Sequence, residues 1–158
     1  MTPYDLLEQL QIYASEKLSN LMLPVNTSPS KPKEERCPEV FKMNLPDKKA
    51  QTEKVPYLVL QFLNGTDEQQ EGQQEYASCR VRIIACAYSD DLSEGPLHVL
   101  NMLTRLRTAL LRDRIIGKRY ELMLPLEYLV YPDSPAPYFF GEMMSTWKIP
   151  VIRREIEL

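Results

Sequence analysis

A reaction centre in this 158-residue chain would have to be built from one histidine, three cysteines and five glycines. His98 stands alone, whereas imidazole metal sites need two or three such side chains. A Ser-His-Asp or Cys-His arrangement would also have to use His98, and no nucleophile-elbow pattern accompanies it. The glycines, at 65, 72, 95, 117 and 141, are too scattered to form a phosphate-cradling loop. Cys37, Cys79 and Cys86 show no paired spacing. Cys79 and Cys86 fall seven apart on one predicted strand and so point to opposite faces, which suits reduced, partly buried thiols. Asp90-Asp91, or Glu71 with Glu75, could take a hard cation, but acids in turns are ordinarily solvated. Glu121, Glu127 and Glu142 would make a hydrolase only if two of them were held about 5 to 10 Å apart in a cleft. These residues assign no catalytic, cofactor or metal position.

Charge is the next source of function. The net charge is −3 with a pI near 5.3, against the basic excess of a dedicated nucleic-acid binder. The basic residues Arg105, Arg107, Arg112 and Arg114 gather late in one predicted helix, with Lys118 and Arg119 just past it. Helical geometry divides them between two stripes, and cations there complement the helix dipole. A protein contact and a nucleic-acid surface stay open beside that plain reading.

The elements that would position these groups read as an α+β fold. It is expected as a mostly antiparallel, twisted sheet of four to five strands packed against two helices, in one domain over 1–158. Thr2, Pro3 and Asp5 open a helix. Leu6, Leu7, Leu10, Ala14, Leu18 and Leu21 form its apolar stripe, with Ile12 stranded on the polar side. Residues 24–54 read as a long, mobile segment, broken by a short strand in which Phe41, Met43 and Leu45 alternate with polar neighbours. An apolar strand over 55–63 follows, then an Asn64-Gly65 turn and a solvated hairpin tip over 64–75.

The strand over 76–88 places Val81, Ile83, Ala85 and Ala87 on one face, and Ile84, Cys86 and Tyr88 on the other. Ser93 is expected to cap a helix over 96–116, with Gly117 just past its end. Leu100, Arg107 and Leu111 flank its core stripe. In the strand over 119–131, six apolar positions alternate from Tyr120 to Val130. Pro125 puts that strand at an edge or on a bulge. A change of apolar parity at Pro150 predicts a bulge and a final strand carrying Ile152, Arg154 and Ile156. No secretory signal and no apolar run of about 18 residues is visible, so a cytoplasmic protein without a membrane anchor is expected.

This order resembles the tail-terminator, or tail-completion, proteins of long-tailed bacteriophages. The resemblance lies in the amino-terminal helix, the hairpin built on Val55-Pro56-Tyr57-Leu58-Val59-Leu60 and Cys79-Arg80-Val81-Arg82-Ile83-Ile84, the leucine-rich helix and the closing strand pair with Trp147. The nearest local matches are the Val-Pro-Tyr entry and the transition through Ser89-Asp90-Asp91. The resemblance implies a non-enzymatic subunit, without cofactor or metal, made in the cytoplasm of a bacterial host and carried in the virion tail. Copies would close into a ring, commonly a hexamer, that caps the tail tube protein and meets a head-completion protein. The surfaces expected to serve it are Leu100, Arg107 and Leu111, the sheet edge at Pro125, and the carboxy-terminal Ile152, Arg154 and Ile156. Another head-tail adaptor and a small RNA- or ligand-binding domain remain the alternatives.

Overall fold

Thr2 starts the first helix by accepting a hydrogen bond from the Asp5 amide at 3.3 Å, with Pro3 where its missing N–H costs nothing. The computed structural model describes residues 2–26, 30–46 and 55–155. In chain order its elements are α1 (Pro3–Lys17), β1 (Leu23–Pro24), β2 (Glu35–Arg36), β3 (Glu39–Lys42), β4 (Tyr57–Glu68), β5 (Tyr76–Tyr88), α2 (Glu94–Asp113), β6 (Ile115–Ile116), β7 (Tyr120–Val130) and β8 (Tyr138–Ile149). The whole predicted stripe of α1, from Leu6 to Leu21, is buried, and Ile12 stays 60% exposed.

The architecture is α+β. Six strands form one sheet in the order β3-β4-β5-β8-β7-β6, and β1 and β2 make a separate antiparallel pair. The expected sheet of four to five strands is therefore too small. Every neighbour pair in the large sheet is antiparallel except β3 and β4, which run parallel. The strand of this sheet that the reading missed is β6, whose two residues are too few for periodicity to register, and β3 covers Glu39–Lys42 rather than the alternation read at Phe41, Met43 and Leu45.

Both helices pack on one face of the sheet. There Leu58, Leu60, Val81, Ile83, Met143 and Trp147 meet Leu6, Leu10, Met102, Leu103 and Leu106 in the main core. The polar groups within it are satisfied. Ser145 Oγ donates to the Val81 carbonyl at 2.8 Å and accepts from Trp147 Nε1 at 2.9 Å. At Gly141 an added Cβ would stand 2.6 Å from Val99 Cγ1 and 2.8 Å from the Leu129 carbonyl, so α2 sits close on β8 only because that position is bare.

The sheet curls, and α1 touches strands near both of its ends. Toward one edge Gln11 donates to the Val40 carbonyl at 2.8 Å and Lys42 pairs with Glu8. Toward the other, Tyr120 donates to Asp5 Oδ2 at 2.5 Å. Helix α1 is thus the seam between the two ends of the curled sheet. On the sheet's other face a smaller cluster of Val55, Tyr57, Val59 and Cys86 is buried, flanked by Phe41, Leu45, Ile84, Tyr88, Tyr138 and Phe140.

Several local expectations need correction. Asp91, not Ser93, caps α2: its Oδ1 accepts from the amides of Ser93 at 2.7 Å and Glu94 at 3.3 Å, and Ser93 makes no side-chain cap bond. The helix stops at Asp113 because Arg114 turns to φ 63, and Gly117, at φ 59, serves instead in the β6–β7 turn. Strand β3 ends at Lys42 because Met43 adopts φ 65. Residues 151–155 form no strand. The register irregularities fall between Phe62 and Asn64 and between Met123 and Glu127, not at Pro150. Residues 47–54, within the segment read as long and mobile, and the tail position Ile156 lie outside the described residues.

Candidate interaction surfaces

Strand β7 begins inside the molecule and finishes on its surface. Tyr120 and Leu122 are buried, and β6 pairs only with Tyr120 and Glu121 on the outer side. The Leu122 amide adds a bond to the Arg114 carbonyl at 2.7 Å. Beyond it, among the described residues, no strand pairs with the outer edge of β7. Pro125 lies in the irregular stretch of this edge and removes one backbone donor. At this irregularity Leu124, on the predicted core-facing parity, is 56% exposed, while Leu129, on the other parity, faces away from the helices at 46%.

The flank of α2 runs beside this edge. Leu100 is 38% exposed, and the Arg107 guanidinium lies over the Tyr128 ring at 5.7 Å from its centroid. Leu111 is half-buried at the margin of the main core. Leu100, Arg107 and Pro125 therefore belong to one side of the molecule, joined by Tyr128, Leu124 and Leu129, which reading of the residues passed over. Across the irregularity four steps along β7 face two along β8, so parity is kept and Tyr128 returns to the helix side opposite Met143; Pro125 was the available signal for the exposure of Leu124.

Ile152 and Arg154 sit elsewhere. The tail after β8 runs beside the β4–β5 hairpin, where Gln74, Glu75, Pro150, Val151, Ile152 and Arg153 line a mostly apolar groove of about 790 Å³. Ile152 is 84% exposed and Arg154 is exposed. Diagonally across the sheet from the open part of β7, β4 is also open. Strand β3 covers it only from Tyr57 to Leu60, leaving the edge past Gln61 without a strand partner among the described residues.

The groups weighed for chemistry are held apart. His98 faces Glu94 one helical turn away, at 3.9 Å. Burial pushes the Cys79 thiol up to about 11 and the Cys86 thiol up to about 12, which keeps both protonated and poorly nucleophilic near neutrality. They lie on opposite faces of β5, Cys79 in the main core and Cys86 in the smaller cluster. Glu142 pairs with Arg82 at 2.9 Å on the helix-free face. Burial, and then Glu142, raise the Tyr131 phenol above its ordinary value. Among the described residues no three His, Cys, Asp or Glu side chains gather as a metal site, and no helix is long and apolar enough to cross a membrane.

The basic residues are dispersed too. Arg105 Nε donates to Asn101 Oδ1 at 3.4 Å, Arg112 meets Asp113 at 3.3 Å, and Arg114 bonds the Leu111 carbonyl at 3.2 Å. Lys17, Arg105 and Arg112 line a shallow groove beside α2. No protein-family model matches the chain, and no curated protein matches it.

Proposed function

We propose that this chain is a non-enzymatic subunit of a ring that caps the tail tube of a long-tailed bacteriophage or prophage and offers the surface to which the head joins. The observation that carries the reading is the outer edge of β7 past Leu122, unpaired by any described strand and bordered by exposed Leu124, Tyr128, Leu129 and Leu100. A monomer normally guards such an edge with charge, a bulge or a cover. Here the bulge and Pro125 blunt only part of it, Glu127 is the single charge on β7 past Leu122, and Leu124, Tyr128 and Leu129 around the edge are apolar. An edge of this kind is suited to strand addition by a neighbour.

The open edge of β4 supplies an unlike second surface. Contacts between unlike surfaces run head to tail, and they close into a ring when the rotation between neighbours closes. On this reading the ring is hexameric. It assembles in the host cytoplasm, stays in the virion tail, and touches the tube protein on one side and a head-completion protein on the other. A head-completion adaptor would use the same edges, and the partner that binds separates the two.

The test is the solution mass of the full chain over a range of concentrations, alone and with tail tube protein. A ring-sized species in either condition is expected. A strict monomer that ignores tube protein would remove the reading. It would favour the small RNA- or ligand-binding alternative, whose affinity for RNA should fall steeply with salt through the Lys17, Arg105 and Arg112 groove.

A further inference from the structure

The exposed segment 63–75, the outer end of β4 and the turn that follows it, forms an acidic arm beside the tail after β8. Every residue from Leu63 to Glu75 is exposed, yet strand pairing continues from Asn64 opposite Arg80 to Glu68 opposite Tyr76. The partner strand β5 stays in the sheet, paired with β8 from Ala77 opposite Ile149, so the turn beyond Glu68 and Tyr76 is the part that passes the end of the sheet. The irregularity at Phe62 and Asn64 lies at the root of this arm, where an extra residue bends a strand. The arm holds Asp67, Glu68, Glu71 and Glu75 and no Lys or Arg. Four of the chain's 22 acids and none of its 19 bases lie on it, so a chain of net charge −3 has a body at +1.

That body carries a receptor of opposite sign. Lys17, Thr104, Arg105, Thr108, Ala109 and Arg112 line a groove of about 340 Å³ between the end of α1 and the second half of α2. Arg105 and Arg112 are two helical turns apart, about 10 Å along the axis. Asp113 is shared by Lys17 at 3.8 Å and Arg112 at 3.3 Å, which leaves the groove with cationic excess. Its floor of Thr104, Thr108 and Ala109 is small and has no aromatic surface on which a base could stack.

We propose that the acidic arm of one copy seats in the Lys17–Arg105–Arg112 groove of the next. The proposal rests on the ring reading and names one contact within it. Arm and groove are unlike halves on one chain, so each copy lends its arm to one neighbour and its groove to the other. Exposed ion pairs add little affinity, whereas complementary fields speed encounter and set register. The arm therefore governs the order and rate of assembly, and the apolar β7 edge supplies the hold.

A charge swap on the full chain tests this, since all four substituted positions are exposed and the variants keep the fold. The arm variant is Glu71→Lys/Glu75→Lys and the groove variant is Arg105→Glu/Arg112→Glu. Assembly is followed by light scattering at low and high salt. Each variant alone should assemble about tenfold or more slowly at low salt, with the difference shrinking at high salt. An equimolar mixture of the two, and a chain bearing all four changes, should both recover the wild-type rate. Wild-type rates for the separate variants would overturn the arm–groove contact and leave the ring reading standing. Charge-restored assembly into open chains rather than rings would uphold the contact and remove the ring. A wild-type chain that never self-associates, with or without tube protein, would end both. Loss of salt-sensitive RNA binding in the groove variant, with assembly unchanged, would also overturn the contact and assign the groove to nucleic acid.

Discussion

Strands β5 and β7 flank β8 on either side and share an alternating apolar texture, yet they meet opposite fates. In β5 the alternation is used up within the subunit: Val81, Ile83, Ala85 and Ala87 are buried under the helices, and Cys86 is buried in the cluster on the other face. In β7 only Tyr120 and Leu122 are buried; past Met123, Leu126 and Val130 are half-buried at the core margin, while Leu124, Tyr128 and Leu129 come to the surface at a sheet edge. Hydrophobic periodicity therefore says that a strand faces a core, but not whether that core lies in its own chain.

The contrast can be broken or sharpened by its effect on the isolated subunit. Trp147→Ala, under the closed face, should cost about 3 to 5 kcal/mol in urea unfolding, through lost burial and the cavity left behind. Ser145→Ala comes next. It strands the buried Trp147 Nε1 that now donates to Ser145 Oγ at 2.9 Å, a loss of about 1 to 3 kcal/mol read in the same assay.

A smaller effect belongs to the seam and depends on pH. The hydrogen bond from Tyr120 holds the Asp5 carboxyl below its ordinary 3.8, and the bond from Tyr13 does the same for Asp113. A lowered carboxyl contributes stability above its unfolded value and loses it as pH falls through the folded one. Urea midpoints should therefore drop as pH falls from about 5 toward 2, and the drop should be shallower in Tyr120→Phe and Tyr13→Phe. An equally steep drop in both variants would contradict these pairings. Smallest of all for the monomer is Leu124→Lys/Leu129→Lys. On an exposed edge it should move stability by no more than about 0.5 kcal/mol, while light scattering shows assembly lost. If that variant unfolds like Trp147→Ala, the β7 edge is part of the subunit's own core and the comparison fails.

Much of the closed face was legible before any coordinates. Thr2, Pro3 and Asp5 announce α1, and the two faces of β5 follow from a strand long enough to display its period. What stayed hidden depends on contacts between distant segments or on a single backbone torsion. Nothing local in Glu39–Lys42 says that it lies parallel to Tyr57–Leu60. Arg114 halts α2 at φ 63 with no glycine to advertise it, and Asp91 caps that helix from just before the serine that looks like the cap. The candidate surface was half legible. Pro125 pointed to an edge and the plain alternation puts Leu129 away from the helices, but the exposure of Leu124 emerges only once the ladder is interrupted beside Pro125.

The placement of α1 sets a schedule for biosynthesis. This helix leaves the ribosome before α2 and every strand, yet its partner Asp113 is 100 residues downstream of Tyr13, and Tyr120 is 115 downstream of Asp5. A nascent chain short of β7 holds the leucine stripe of α1 with no finished seat for it. Such delayed, non-local closure slows folding and leaves sticky intermediates for chaperones to guard. A polypeptide cut before Tyr120 should therefore aggregate, while one trimmed after Ile149 should stay in solution.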